Sequence, residues 1–205
     1  MTHPNNRKIL FDFIKNRRSV RRYTDTPIPP ALLLRLLEAA TWAPSAHNRQ
    51  PWRFAVLTQP VDKARLAQAM GARLHADRTA DGDDSDAIER DVARSYARLT
   101  GAPVLIVICT SLIDMDHYPD PQRSRHEWTM ATQSTAMAAQ NLLLLAHAEG
   151  LGACWVCAPL FVPELVKEVL NLPDDWEPQG LITLGYPAQE RSKTREPVED
   201  RVRFL

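Results

Sequence analysis

Charge of one sign is missing from this chain: 25 Lys and Arg face 25 Asp and Glu, so the formal net charge is zero. A general nucleic-acid or membrane-surface binder carries a basic excess, and neither partner is expected. Cysteine is scarce, with three in 205 residues. That is no disulfide framework, and a reducing compartment fits best. No apolar run reaches the ~18 residues of a membrane span, and Met1-Thr2-His3-Pro4-Asn5-Asn6-Arg7-Lys8 lacks the apolar stretch of a signal peptide. A cytoplasmic protein is the expectation. Several chemical signatures are absent too: there is no Walker sequence and no His-Glu-x-x-His pair. Gly150-Leu151-Gly152 holds only a fragment of a dinucleotide fingerprint, and a strand rather than a helix follows it. Six scattered histidines give no nucleophile with a base beside it, so hydrolase and phosphotransferase chemistry have little support.

What is present suffices for a core, since 44% of residues are hydrophobic, and one domain spanning residues 1–205 is expected. Apolar spacing predicts helices over Ile9 to Asn16, Ala31 to Thr41 with Pro30 in the first turn, Pro60 to about Met70, Ile88 to Leu99 and Pro163 to Asn171. Ser124-Arg125-His126-Glu127 has capping-box spacing and predicts the start of a long helix ending near Gly150. Strands are expected at Arg53 to Thr58, Ala153 to Cys157 and Leu181 to Tyr186. The continuous run Pro103 to Cys109 reads as a strand buried on both faces. The acidic stretch from Asp77 to Asp86 lacks apolar periodicity and reads as a mobile loop or lid. Its charge would repel a polyanionic ligand unless Arg73, Arg78 or Arg123 compensates. The sum is an α+β chain with a central sheet covered by helices.

Three segments concentrate groups suited to an anionic or heterocyclic ligand. Arg17-Arg18-Ser19-Val20-Arg21-Arg22 offers guanidinium forks and a hydroxyl, a donor set for phosphate. By itself it fits a solvated basic face as well, because only five of the 25 basic residues are lysines. Lys193 and Arg195 alternate in an extended tail and can converge on one anion. Ala43-Pro44-Ser45-Ala46-His47-Asn48-Arg49-Gln50-Pro51-Trp52 joins a helix to a strand and packs amides and a hydroxyl between two prolines. Cys154-Trp155-Val156-Cys157 has the spacing of a redox or zinc pair. Cys109 is the one other cysteine, however, and the pair lies in an apolar strand rather than at a helix start. Buried, inert thiols are expected.

In order along the chain, these pieces resemble the nitroreductase-like family of FMN-dependent oxidoreductases. Gly150-Leu151-Gly152-Ala153-Cys154-Trp155 and Gly185-Tyr186-Pro187 before Lys193 extend the match. The resemblance implies an α+β fold with a central mixed sheet flanked by helices, entwined as a homodimer with two FMN sites at the interface. It implies that Arg17, Arg18 and Ser19 hold the phosphate and ribityl end, that Lys193 and Arg195 lie on the phosphate, and that Arg21 lies by the pyrimidine edge. Pro44, Ser45, Ala46, Asn48 and Gln50 would approach from the other subunit, while Trp155, Val156 and Cys157 line the flavin. No metal and no separate catalytic side chain are implied. NADH or NADPH would donate hydride, passed through the flavin to a planar, electron-poor acceptor of the nitroaromatic or quinone type.

From Tyr118 to Pro187 the chain is also similar to the flavin domain fused to the glutamyl ligase of deazaflavin-coenzyme biosynthesis. A stand-alone reductase of a deazaflavin precursor is therefore an alternative, and a non-catalytic flavin-binding module is another. Relatives that cleave flavin to dimethylbenzimidazole carry an acidic residue where Ser19 stands and fit less well.

Overall fold

Four segments pair into one sheet in the order β1-β2-β4-β3. They are β1 (Trp52–Leu57), β2 (Val104–Thr110), β3 (Gly152–Val156) and β4 (Glu177–Gly185). The computed structural model describes residues 4–189 and 192–205, and the side chains of residues 4–7 are outside that description. All three strand pairings are antiparallel, with Phe54 opposite Ile108 and Ile182 opposite both Ile106 and Trp155. The parallel component of the expected mixed sheet is a single bridge, Ser19 to Ala153. Every residue of β2 is buried, as its unbroken apolar run requires of a central strand with both faces covered.

Side-chain alternation splits the core into two layers. On one face Ile106, Ile108, Ile182 and Leu184 pack against α2 (Pro30–Thr41) and α5 (Pro121–Ala148). On the other, Leu105, Val107 and Leu181 pack against α3 (Pro60–Ala80) and α6 (Pro163–Leu170), with Leu99 of α4 (Ser85–Thr100) in the same cluster. Helix α1 (Pro4–Asn16) leaves Ile9, Leu10, Phe11 and Ile14 exposed. Among the described residues no helix is long and apolar enough to cross a membrane.

The stretch from Asp77 to Asp86 is not a lid. Helix α3 runs ten residues past the expected end at Met70, α4 starts at Ser85, and only a short turn separates them. The missing periodicity is confined to the end of α3 and the start of α4, where nearly every side chain is exposed and several are held in ion pairs. Arg73 pairs with Asp77 at 2.7 Å, and Arg78 bridges Asp83 at 2.6 Å and Asp91 at 2.5 Å. Gly82 at φ +80° makes the turn, and the Asp84 carboxylate accepts from Ala87 N–H at 2.9 Å to cap α4. Helix α5 likewise begins before Ser124. Asp120 is its cap, accepting from Arg123 N–H at 2.9 Å, while the Ser124 hydroxyl donates to the Tyr118 carbonyl at 3.0 Å. Strand β4 starts at Glu177 rather than Leu181: Pro178 and Gly180 disguise a segment that pairs with β2 through a shift in register, Gly180 opposite Ile108 and Pro178 opposite Cys109.

Candidate functional site

After α1 ends, the arginine-rich segment lies along the outer edge of β3. Ser19 bridges Ala153, and Val20 N–H donates to the Ala153 carbonyl at 3.0 Å. A side chain at Gly152 would meet Val20 at 2.7 Å, so glycine is what lets the segment approach. Tyr23 pins it from below: its hydroxyl lies 2.6 Å from the Val20 carbonyl and 2.7 Å from Thr183 Oγ1, and burial pushes the phenol far above its ordinary pKa. Thr24 N–H donates to the Tyr186 carbonyl at 2.9 Å, and Ala188 N–H donates to the Arg22 carbonyl at 3.0 Å. These bonds tie the chain after β4 to the segment before α2.

That docking brings the two chain ends together. Arg18, Ser19, Arg21, Lys193 and Arg195 line a cavity of about 190 Å³. Arg17, Arg18, Lys193 and Arg195 also border a larger one of about 670 Å³, walled by Phe11 and Ile14 of α1 and Gln140 of α5. Among the described residues none of these five cations is ion-paired. Arg17 is held below its ordinary pKa, first by burial and then by repulsion from Arg195 and Arg18. Arg18 spends Nη1 on the Lys15 carbonyl at 2.5 Å and its neighbour Arg17's at 2.8 Å, bracing the end of α1, and its Nε is buried without a partner. The cluster is short of negative charge.

The loop after α2 is elsewhere. Pro44, Ser45, Ala46, Asn48 and Gln50 do not line the cationic cavities of their own chain. Their backbone is unusual instead: His47, Asn48 and Gln50 have φ of 50°, 57° and 52°. Each such L-residue costs roughly 1–2 kcal/mol, with Asn the most tolerant. Ala46 N–H donates to Ser134 Oγ at 3.2 Å and Gln50 N–H to Ser45 Oγ at 3.1 Å, while the side chains of Asn48 and Gln50 stay exposed.

On β3, Ala153 faces outward toward Val20, so alternation of an antiparallel ladder turns the Trp155 N–H outward as well. The indole lies over Gly180, where an added Cβ would sit 2.5 Å from the ring. Cys154 is buried, but Cys157 is exposed, correcting the expectation that both thiols are hidden. The strand ends at Val156, and the Cys157 sulfur accepts from Trp155 Nε1 at 3.0 Å. Val156 is half-buried on the opposite face, against the second core cluster. Sequence reasoning did not single out Thr183, Gly180 or Arg53.

The fold is α+β, with a cation-lined cavity at the edge of its sheet. A family model described as the nitroreductase family matches residues 14–186, and the chain belongs to that family. A Thermus thermophilus protein named NADH dehydrogenase is 33% identical over 198 residues, covering 85% of this chain and 84% of that one. The Bacillus subtilis protein YfhC, named for NAD(P)H nitroreductase activity, is 28% identical over 194 residues, covering 94% and 92%. A Desulfovibrio desulfuricans nitroreductase solved in complex with FMN superposes with a TM-score of 0.72 at 27% identity, covering 98% of this chain and 96% of that one. A BluB-like flavoprotein of Clostridium difficile shares the fold, with a TM-score of 0.78 at 23% identity over 96% and 98%.

Proposed function

We propose that the protein is an FMN-dependent NAD(P)H oxidoreductase, working as a homodimer with flavin sites shared between protomers. The observation that carries the proposal is the group of unpaired cations at the β3 edge, with Arg17 repelled by Arg195 and Arg18 and a buried Arg18 Nε lacking an acceptor. A phosphate monoester fits that donor set, since it brings negative charge and several acceptor oxygens to a site short of both. Arg17, Lys193 and Arg195 would hold the phosphate. Ser19 and the free nitrogens of Arg18 would hold the ribityl end.

When bound, FMN supplies a ring nitrogen that accepts hydride from NAD(P)H and returns it to an acceptor. The chain's own residues bind and orient. Arg21, which lines the smaller cavity, would place positive charge beside the pyrimidine edge and so favour the arrival of electrons. The outward Trp155 N–H would donate to the ring, while Val156 and Cys157 complete its wall. Pro44, Ser45, Ala46, Asn48 and Gln50 would reach the flavin of the other protomer, which accounts for a fixed but exposed loop away from its own cavity. The uncovered apolar residues of α1 support burial against a second copy. Acceptors would be planar and electron-poor, of the nitroaromatic or quinone type.

The purified protein should be yellow, bleach anaerobically with NADH or NADPH, and recover colour on adding a quinone. Bound FMN that bleaches with neither donor would make the protein a non-catalytic flavin module. A monomer by sedimentation that still holds FMN tightly would contradict the shared site.

A further inference from the structure

We infer that Arg53 is a positioning residue, holding the loop of residues 44–50 in the backbone shape that presents Asn48 and Gln50. Its consequence for flavin rests on the function proposed above.

Three positive φ values in four residues, none of them glycine, will not persist in an unrestrained loop. Something must hold them. Arg53, at the start of β1, is the side chain best placed to do so. Its Nη1 donates to the Gln50 carbonyl at 3.1 Å and to its neighbour Trp52's carbonyl at 3.0 Å, and its Nη2 donates to Asp114 at 3.0 Å. One planar fork therefore spans the end of the loop and the segment after β2, which a lysine's point charge cannot do. That segment is a firm brace: Ser111 N–H donates to the Pro51 carbonyl at 2.8 Å, and Met115 is buried. Arg49 pairs with Asp116 at 2.5 Å from the same brace, but both groups are substantially exposed and the pair contributes little. Arg53 is better buried than Arg49 and grips main chain, so it fixes the Gln50 end of the loop, as the Ser134 hydroxyl fixes the Ala46 end.

Arg53→Met keeps most of the side-chain bulk and removes all three hydrogen bonds. In flavin-free protein, amide hydrogen exchange across residues 44–52 should quicken about tenfold while the central strand β2 is unchanged. FMN should then dissociate about five- to tenfold more readily. His47→Gly in the same background should recover much of that affinity, because glycine takes the positive φ without strain although it restores none of Arg53's bonds. A merely structural role for Arg53 would not respond to a glycine at position 47. Unchanged exchange in residues 44–52 overturns the inference, as does quickening spread over β2 with no recovery by His47→Gly. If Arg53→Met fails to fold, Asp114→Asn, which only loosens the fork, should still quicken exchange in the same residues about two- to threefold, and no change there overturns the inference equally. A wild-type protein that takes up no FMN would refute the proposed function, and exchange alone would then decide the role of Arg53.

Discussion

Replacing Arg195 by alanine should weaken FMN binding yet leave the flavin-free protein as stable as before, or more so. The two signs separate a ligand-binding cation from a structural one. Without an anion, Arg195 only repels Arg17, whose pKa is lowered first by burial and then by Arg195 and Arg18. Deleting it removes that repulsion. With a phosphate in place the same guanidinium gives a charge-assisted hydrogen bond, worth about 1.5–3 kcal/mol. Arg195 is exposed and screened by solvent, so the lower end applies, about tenfold in Kd. Arg17→Ala should weaken binding more, because Arg17 is half-buried. The assay is fluorescence titration with FMN and, in parallel, with riboflavin, which lacks the phosphate, together with denaturation of the flavin-free variants. An equal loss for FMN and riboflavin, or unchanged FMN affinity in both variants, would refute the assignment.

Gly180→Ala should destabilise the protein by about 1–3 kcal/mol through overpacking, because its Cβ would meet the Trp155 ring at 2.5 Å; a denaturation midpoint equal to wild type would contradict the packing described. The His147 ring stacks on Phe13 at 4.9 Å and is held below the ordinary histidine value of 6.5 by burial, then by Arg17 and Arg18. Acid therefore protonates the unfolded chain first. Stability should be full above pH 6.5 and fall as the pH drops toward the folded value, and His147→Gln should flatten this profile in denaturant titrations. The Cys154→Ser, Cys157→Ser double variant should keep flavin binding and acceptor turnover. Loss of turnover with normal bleaching by NAD(P)H would restore the thiols to the mechanism.

Legibility in the sequence tracked how local the physics was. Strand β2 was readable because burial on both faces leaves an unbroken apolar run, and the arginine segment because guanidinium and hydroxyl groups stand side by side. The end of α3 and its junction with α4 were hidden, since the side chains there are exposed on nearly every side and ion pairs such as Arg78 with Asp83 stand where an apolar stripe would mark a helix. Strand β4 lost its first residues to Pro178 and Gly180, whose presence makes sense only once Trp155 is seen lying over the glycine. The loop's positive φ values fall on His47, Asn48 and Gln50 rather than on glycine, so no residue type announces them. Arg53 looked like any strand arginine. Its partners are fixed by a sheet that a one-dimensional reading cannot assemble.

The hairpin also changes what can select an acceptor. A mobile acidic lid would have screened ligands by charge and turned away polyanionic ones. What stands there is helical, and several of its acids are answered within the hairpin: Asp77 by Arg73, Asp83 and Asp91 by Arg78, and Asp91 also by Arg94. Arg123, a third candidate for compensation, is already engaged by Asp120. Such a hairpin offers little net field, and its connection is too short for a flexible cover. On the proposed function, discrimination between acceptors would fall to the groups assigned to the ring: the clamped loop with Asn48 and Gln50, and the β3 edge with Trp155 and Cys157. Shape and stacking, rather than charge at a gate, would set the preference. Variants in that loop should therefore shift relative acceptor specificity more than charge reversals on α3 or α4 do.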